Sequence, residues 1–385
     1  MRERAGDLGN PHEAPKFRRN RASLGTPGTR IDVVGLTGLD YYADEGAKPL
    51  PLRRGGKQNM PFDDAQVLLN QFDVVIDPAR RGLGQTGVNL AVALANLGET
   101  VTLHTPLSIR DESTSIIRAV LSSYQNLEID ATEHEYRNPQ GIHVLGPDGD
   151  KKAYLDKPAA PLHPRFGQPG LIMIAATSGN WEATLNETVN YALQNEISYG
   201  MLASESQLKD LTRDPAKRDA YLKALKDTSI WLGNNDEARL ILEAYGQTPS
   251  TDPQLLARQL RDLGEGIPYV SITHGPGFST LLTETHFHLL NSTTVKARNT
   301  AGAGDQYAAT LLNGLRGISD PSVVRDIEHT MITASFSTLD VVLREDTTSG
   351  QLTSRRKREL KLTDHLTFDK LAPYGFYEHT AYPLR

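Results

Sequence analysis

Short apolar runs recur along the second half of the chain, each separated from the next by enough sequence for one helix. Residues 171–176, 197–202, 230–232 and 269–273 read as buried strands, and the stretches between them have helical composition. Strands joined by helical crossovers lie parallel, and a parallel sheet needs helices on both faces. The same grammar is visible earlier. Ile31-Asp32-Val33-Val34 reads as a strand opening into a loop that ends at Asp40, so that Asp40 would lie at a strand's carboxyl end. Residues 88–97 (VNLAVALANL) read as a helix stopped by Gly98, with a strand over 101–104 after it. QFDVVI, residues 71–76, also reads as a strand.

Elsewhere the pattern breaks, and the breaks suggest boundaries. Residues 1–29 are rich in Arg, Gly and Pro without a hydrophobic period, which predicts a mobile tail. Residues 30–345 carry the alternating pattern. Two segments within them, near 41–80 and 131–160, are expected to build a small flanking β-sheet that acts as a lid, with a hairpin turn at Gly146-Pro147-Asp148-Gly149. Residues 346–385 form a polar extension in which Arg355-Arg356-Lys357-Arg358 reads as a solvated helix face.

Composition narrows the function classes. A net charge of −6 argues against a nucleic-acid surface as the main business, since phosphate backbones are held by excess Lys and Arg. The chain has no cysteine, which removes disulfides, thiolate zinc sites and cysteine nucleophiles and fits a cytoplasmic setting. No apolar stretch is long enough for a signal core or a membrane span. The histidines form no H-E-x-x-H pattern, and the one Gly-Lys pair, Gly56-Lys57, lacks the rest of a Walker loop.

The segment richest in chemistry is Asn299-Thr300-Ala301-Gly302-Ala303-Gly304-Asp305, followed by a helix with Tyr307, Ala308, Leu311, Leu312 and Leu315 on one face. Unsatisfied N–H groups at a helix start suit phosphate oxygens, and small residues let the backbone come close. A carboxylate in the same turn can take a proton from an attacking alcohol.

NTAGAGDQY is similar to the D-T-x-G-A-G-D-x-F signature of the ribokinase, or PfkB carbohydrate kinase, family. That resemblance implies a ribokinase-like three-layer α/β/α domain with a mostly parallel sheet and a small β lid. It also implies ATP and Mg2+ as cofactors, Asp305 as catalytic base, and Gly302, Ala303 and Gly304 as anion hole. Leu232-Gly233-Asn234-Asn235-Asp236-Glu237 resembles the family's N-x-x-E motif, which implies that Asn234 binds ATP and that Glu237 holds Mg2+ through water. Asn-Asn-Asp is equally good helix-capping sequence. Gly84-Gln85-Thr86-Gly87-Val88-Asn89 resembles the stretch G-G-x-x-x-N, placing Gly84, Gln85 and Asn89 with Asp40 at the substrate. Thr273 and Gly275 fall where relatives contact the nucleotide. The implied partner is a small-molecule sugar or nucleoside, with no nucleic acid and no membrane, and with room for a homodimer formed through the lid.

The chain departs from the family at several points. Gln85 stands where many relatives have a second glycine, and Asn299 and Ala301 replace residues often found as Asp and Thr, which leaves activation by potassium open. Arg80 and Arg81 beside the substrate loop read either as solvated or as binding an acceptor phosphate. Two other functions are weighed. Gly82-Leu83-Gly84-Gln85-Thr86-Gly87 satisfies G-x-G-x-x-G, as in an NAD-dependent oxidoreductase, although the following strand ends in His104-Thr105-Pro106 without the required acid. A catalytically silent ribokinase-like ligand-binding protein is the other alternative.

Overall fold

In a parallel sheet the strands need apolar side chains on both faces, and this one shows what that requirement does to the sequence. The computed structural model describes residues 23–52, 56–146, 151–157, 160–175, 177, 180–292, 300, 302–342 and 379–384. From the amino end, β1 (Ile31–Val34) enters a large sheet, and the chain then leaves through β2 (Gly38–Asp44), β3 (Lys57–Asn59), α1 (Phe62–Gln71) and β4 (Arg81–Gly84). Helix α2 (Thr86–Asn96) returns it to β5 (Val101–Ser108), α3 (Ser113–Leu121) and β6 (Leu127–His134). A second excursion makes β7 (Gln140–Leu145) and β8 (Lys151–Asp156). Alternation resumes with β9 (Leu171–Ile174), α4 (Trp181–Gln194), β10 (Ser198–Leu202), α5 (Glu205–Leu211), α6 (Pro215–Asp227), β11 (Ile230–Asn234), α7 (Asn235–Ala244), α8 (Pro253–Leu263) and β12 (Tyr269–Thr273). The chain closes with β13 (Phe278–Leu282), β14 (His286–Asn291), α9 (Ala303–Gly317), α10 (Val324–Val342) and β15 (His379–Pro383).

Two sheets result. The large one runs β15-β14-β13-β12-β11-β10-β9-β1-β5-β6, parallel from β6 to β12 and antiparallel from β12 to β15. The small one runs β3-β8-β7-β2-β4. At the centre of the large sheet Ile31 lies opposite both Val101 and Leu171, and all four residues of β1 are buried. One core lies under α2, α3, α9 and α10, and a second under the helices from α4 to α8, giving the expected three layers. Helix α2 is apolar almost all round because it packs against both β5 and α9. Its wholly buried Leu90 and Leu94 each contribute about 2 kcal/mol by transfer from water.

The small sheet is two-faced. Ala43, Ile142, Val144 and Tyr154 point to an outer core completed by Ala65 and Leu69 of α1 and by Val74.

Several sequence expectations are corrected here. Residues 71–76 are not a strand: α1 ends at Gln71, and Phe72, Val74 and Ile76 alternate because they pack onto the outer core of the small sheet. Asp40 is inside β2, not at the carboxyl end of a strand that precedes a loop. Residues 131–134 belong to β6 of the large sheet, whereas the hairpin of the small sheet is β7 and β8. The segment after 345 is not wholly an appendage, since β15 pairs with β14. The tail residues 1–22, the basic run 355–358, Asn299, Ala301 and most of the 146–149 turn lie outside the described residues. The G-x-G-x-x-G run begins inside β4, which is antiparallel to β2 in the small sheet, so the dinucleotide-binding arrangement of a parallel strand and its helix is not formed.

Candidate active site

Strands of a parallel sheet end together, and the loops that leave them enclose a shared space. Here a cleft of about 560 Å³ lies between the inner face of the small sheet and the carboxyl ends of β10, β11 and β12. Its walls bring together Asp40, Gln85, Asn89, Asn234, Glu237, Thr273, Gly302, Gly304 and Asp305. Gly84, Ala303 and Gly275 are not on that wall, and neither Arg80 nor Arg81 reaches it. Arg80 instead pairs with Asp44, at 2.7 Å.

Helix α9 begins at the cleft. Gly302 is its N-cap with φ of 74°, in the left-handed region, and no side chain caps the first turn. A Cβ on Gly304 would meet nothing within 4 Å, so the backbone is open to the cleft at that point. Asp305 sits in this first turn and accepts a hydrogen bond from Asn89 Nδ2 at 2.9 Å. That bond gives the buried amide of Asn89 a partner on an otherwise apolar face of α2. Burial pushes the Asp305 carboxyl up to about 6, against the Asn89 hydrogen bond and the charges of Lys151 and Lys57, with Asp40 adding to the rise.

Opposite Asp305 is a carboxylate approached by two side chains. Asp40, 5% exposed, lies 2.9 Å from His143 Nε2 and 3.5 Å from Gln85 Nε2. A methyl group built on Gly84 or on Gly141 would overlap the Asp40 carboxyl, so both glycines make room for it. Burial alone would raise Asp40, but His143, with Lys151 and Lys157 beyond it, holds the carboxyl below the usual range. Gln85 has φ of 83° and ψ of 147°, a conformation suited to glycine. Such backbone strain costs about 1–3 kcal/mol. Gln85→Gly is therefore expected to raise the unfolding midpoint in a denaturant titration while weakening the hold on Asp40; a lowered midpoint would show the backbone to be unstrained.

The acid of the N-x-x-E segment is locked in place. Asn234 Oδ1 accepts from Glu237 N at 2.9 Å, and Glu237 Oε2 accepts from Asn234 N at 2.9 Å, a capping box on α7. Asn234 thus realises the capping reading of its sequence, while it and Glu237 both line the cleft. Burial pushes Glu237 up to about 7, Lys57 opposes the rise and Glu205 adds to it. Among the described residues no three His, Asp or Glu side chains gather in the manner of a metal cage. Thr273 lines the cleft from the end of β12.

Sequence reasoning missed His143, Lys57, Lys151, Lys157 and Glu205, all on the cleft wall. Period-two alternation along residues 151–157 carried a signal, since Lys151, Ala153 and Leu155 share one face of β8 and Lys157 continues the same alternation past its end.

Comparisons with known proteins were made against this geometry. The family model described as pfkB family carbohydrate kinase matches residues 79–317. The chain belongs to the pfkB carbohydrate kinase family. Within the pfkB match fall Asn89, Asn234, Glu237, Thr273 and residues 302–305, whereas Asp40 and Lys57 precede it. Solved structures share the fold. A probable sugar kinase from Rhizobium etli CFN 42 superposes with a TM-score of 0.67 at 15% identity, covering 87% of this chain and 98% of its own. Adenosine kinase from Sinorhizobium meliloti gives 0.66 at 16% identity, with coverages of 87% and 99%. Adenosine kinase from Schistosoma mansoni, in complex with 2-fluoroadenosine, gives 0.64 at 15%, with coverages of 85% and 98%. Comparison with curated protein sequences returns no match. Among the described residues no helix is long and apolar enough to cross a membrane.

Proposed function

We propose that this pfkB-family protein is an ATP-dependent kinase that moves the γ-phosphoryl group of ATP to a hydroxymethyl alcohol of a sugar or nucleoside. The observation that carries this reading is Asp305 at the uncapped start of α9, its carboxyl pushed up to about 6, in one cleft with the Asp40–His143 pair.

Asp40, Gln85 and Asn89 orient the acceptor, a carboxylate being able to accept two hydroxyl protons at once. Asp305 takes the proton of the attacking hydroxyl as its oxygen bonds to the γ-phosphorus, and the bond to the β–γ bridging oxygen breaks to release ADP. The N–H groups of Gly302 and Gly304, both on the cleft wall, hold the negative charge of the transferring group, whereas the Ala303 N–H, off that wall, donates to Thr300 O at 3.4 Å. Thr273 and the backbone of Asn234 bound the nucleotide; Gly275, off the cleft wall, contacts it only if the β12–β13 turn moves. The buried Glu237, with Glu205 beside it, fits Mg2+ held through water, because that ion keeps several of its waters and a second negative charge nearby favours a cation. When bound, Mg2+ neutralises phosphate charge. The small sheet acts as a lid that excludes water as a competing acceptor. Absence of cysteine fits a cytoplasmic enzyme.

The test is ADP release from ATP and Mg2+ against a panel of sugars, phosphosugars, nucleosides and vitamin alcohols. Release that depends on an acceptor supports the kinase and names its substrate. ATP binding without any acceptor-dependent release would favour a silent binding protein.

A further inference from the structure

Strand β8 turns Lys151, Ala153 and Leu155 toward the cleft, and Lys157, the residue after its end, lines the same wall, while Tyr154 points the other way into the outer core. Beside it β3 runs parallel, with Lys57 opposite Ala153, and adds another ammonium group to the same face. Lys157 Nζ donates to Ser206 Oγ at 3.1 Å, and Lys57 Nζ lies 3.5 Å from Glu205 Oε2. Both lysines therefore overhang the segment that follows β10. From there they act on Glu205 and Asp305, and Lys57 also acts on Glu237.

Their local pairing is incomplete. Glu205 also binds Lys209, at 2.7 Å, and the partner of Lys157 is an uncharged hydroxyl. Burial and the neighbouring charge of Lys57 pull Lys157 down to about 8. Two ammonium groups that disfavour each other's charge in a half-enclosed cleft are relieved by an anion between them. Facing them across the cleft is the uncapped start of α9, which favours the same sign of charge.

We propose that Lys57 and Lys157 form a phosphoryl-binding subsite carried by the small sheet, filled by the group that Asp305, Gly302 and Gly304 transfer. The inference rests on the kinase reading and adds to it a cationic clamp opposite the anion hole, assembled when the small sheet covers the cleft. A phosphate borne by the acceptor is the other source of the same chemistry.

Calorimetric titration separates the outcomes. Wild-type protein, Lys57→Gln, Lys157→Gln and the control Lys152→Gln, whose lysine pairs with Glu45 off the cleft, are titrated in Mg2+ with ADP, with a non-hydrolysable ATP analogue, and with phosphosugars. Each cleft variant is expected to lose about tenfold in affinity for the ATP analogue, with ADP affinity and the control unchanged. A loss confined to a phosphosugar would support the subsite and assign its phosphate to the acceptor. Unchanged affinity for all three ligands in both cleft variants, with a wild type that binds nucleotide, would overturn the subsite and leave the kinase reading intact. A wild type that binds no nucleotide would instead sink the kinase reading and the subsite with it.

Discussion

Asp305→Asn is expected to lower kcat by about 10² to 10⁴ while the protein remains folded. The substitution keeps the shape of the side chain and its reach to Asn89, whose amide now donates to it at 2.9 Å, so the contact between α2 and α9 can persist with an amide oxygen as acceptor. What is lost is the carboxylate charge, and with it the capacity to take a proton. Circular dichroism and nucleotide binding should match wild type. Turnover within a few-fold of wild type would show that the base lies elsewhere.

The same carboxyl sets a pH limb. Burial raises Asp305 to about 6, and a base works only when ionised, so kcat/KM should fall as pH drops through about 6 and reach a tenfold loss per unit below it. A profile flat down to pH 5 with a stable protein would contradict the assignment.

Gly84→Ala is expected to raise the KM for the acceptor by about ten- to a hundredfold, with nucleotide affinity nearly unchanged. Its added methyl would occupy the space of the Asp40 carboxyl, which is wedged between Gly84 and Gly141 and tied to His143. Asp40 must then swing away, leaving His143 and the acceptor hydroxyls unpaired. Equal loss of nucleotide binding would mean that the substitution had disturbed the whole cleft rather than its acceptor side.

Much of this architecture can be read from the chain because parallel strands buried on both faces favour short, mainly apolar runs. Strand β12 occupies residues 269–273, where the run itself ends. The helix after the glycine loop was equally legible, since its apolar face and its opening glycines are both local signals. The failures have a common origin in the small sheet. Phe72, Val74 and Ile76 alternate like a strand because they pack onto another element's face, and alternation alone does not tell pairing from packing. Asp40 looked like a strand-end acid because its flanking glycines resemble a loop, whereas Gly84 and Gly141 are there to admit its carboxyl. His143 of β7, Lys57 of β3 and Lys157 just past β8 meet only through the order β3-β8-β7-β2, which no local pattern encodes. Asn234 shows a different limit: one residue type serves a helix cap or a phosphate, and its side chain is engaged in the cap.

The most direct measurement is phosphorus NMR of a reaction containing the protein, ATP, Mg2+ and the best acceptor from the panel. The expected result is a new phosphomonoester signal that grows in step with ADP and is absent with Asp305→Asn. Growth of orthophosphate in place of the ester, or ester formation undiminished in Asp305→Asn, would contradict a kinase that uses Asp305 to deprotonate an alcohol.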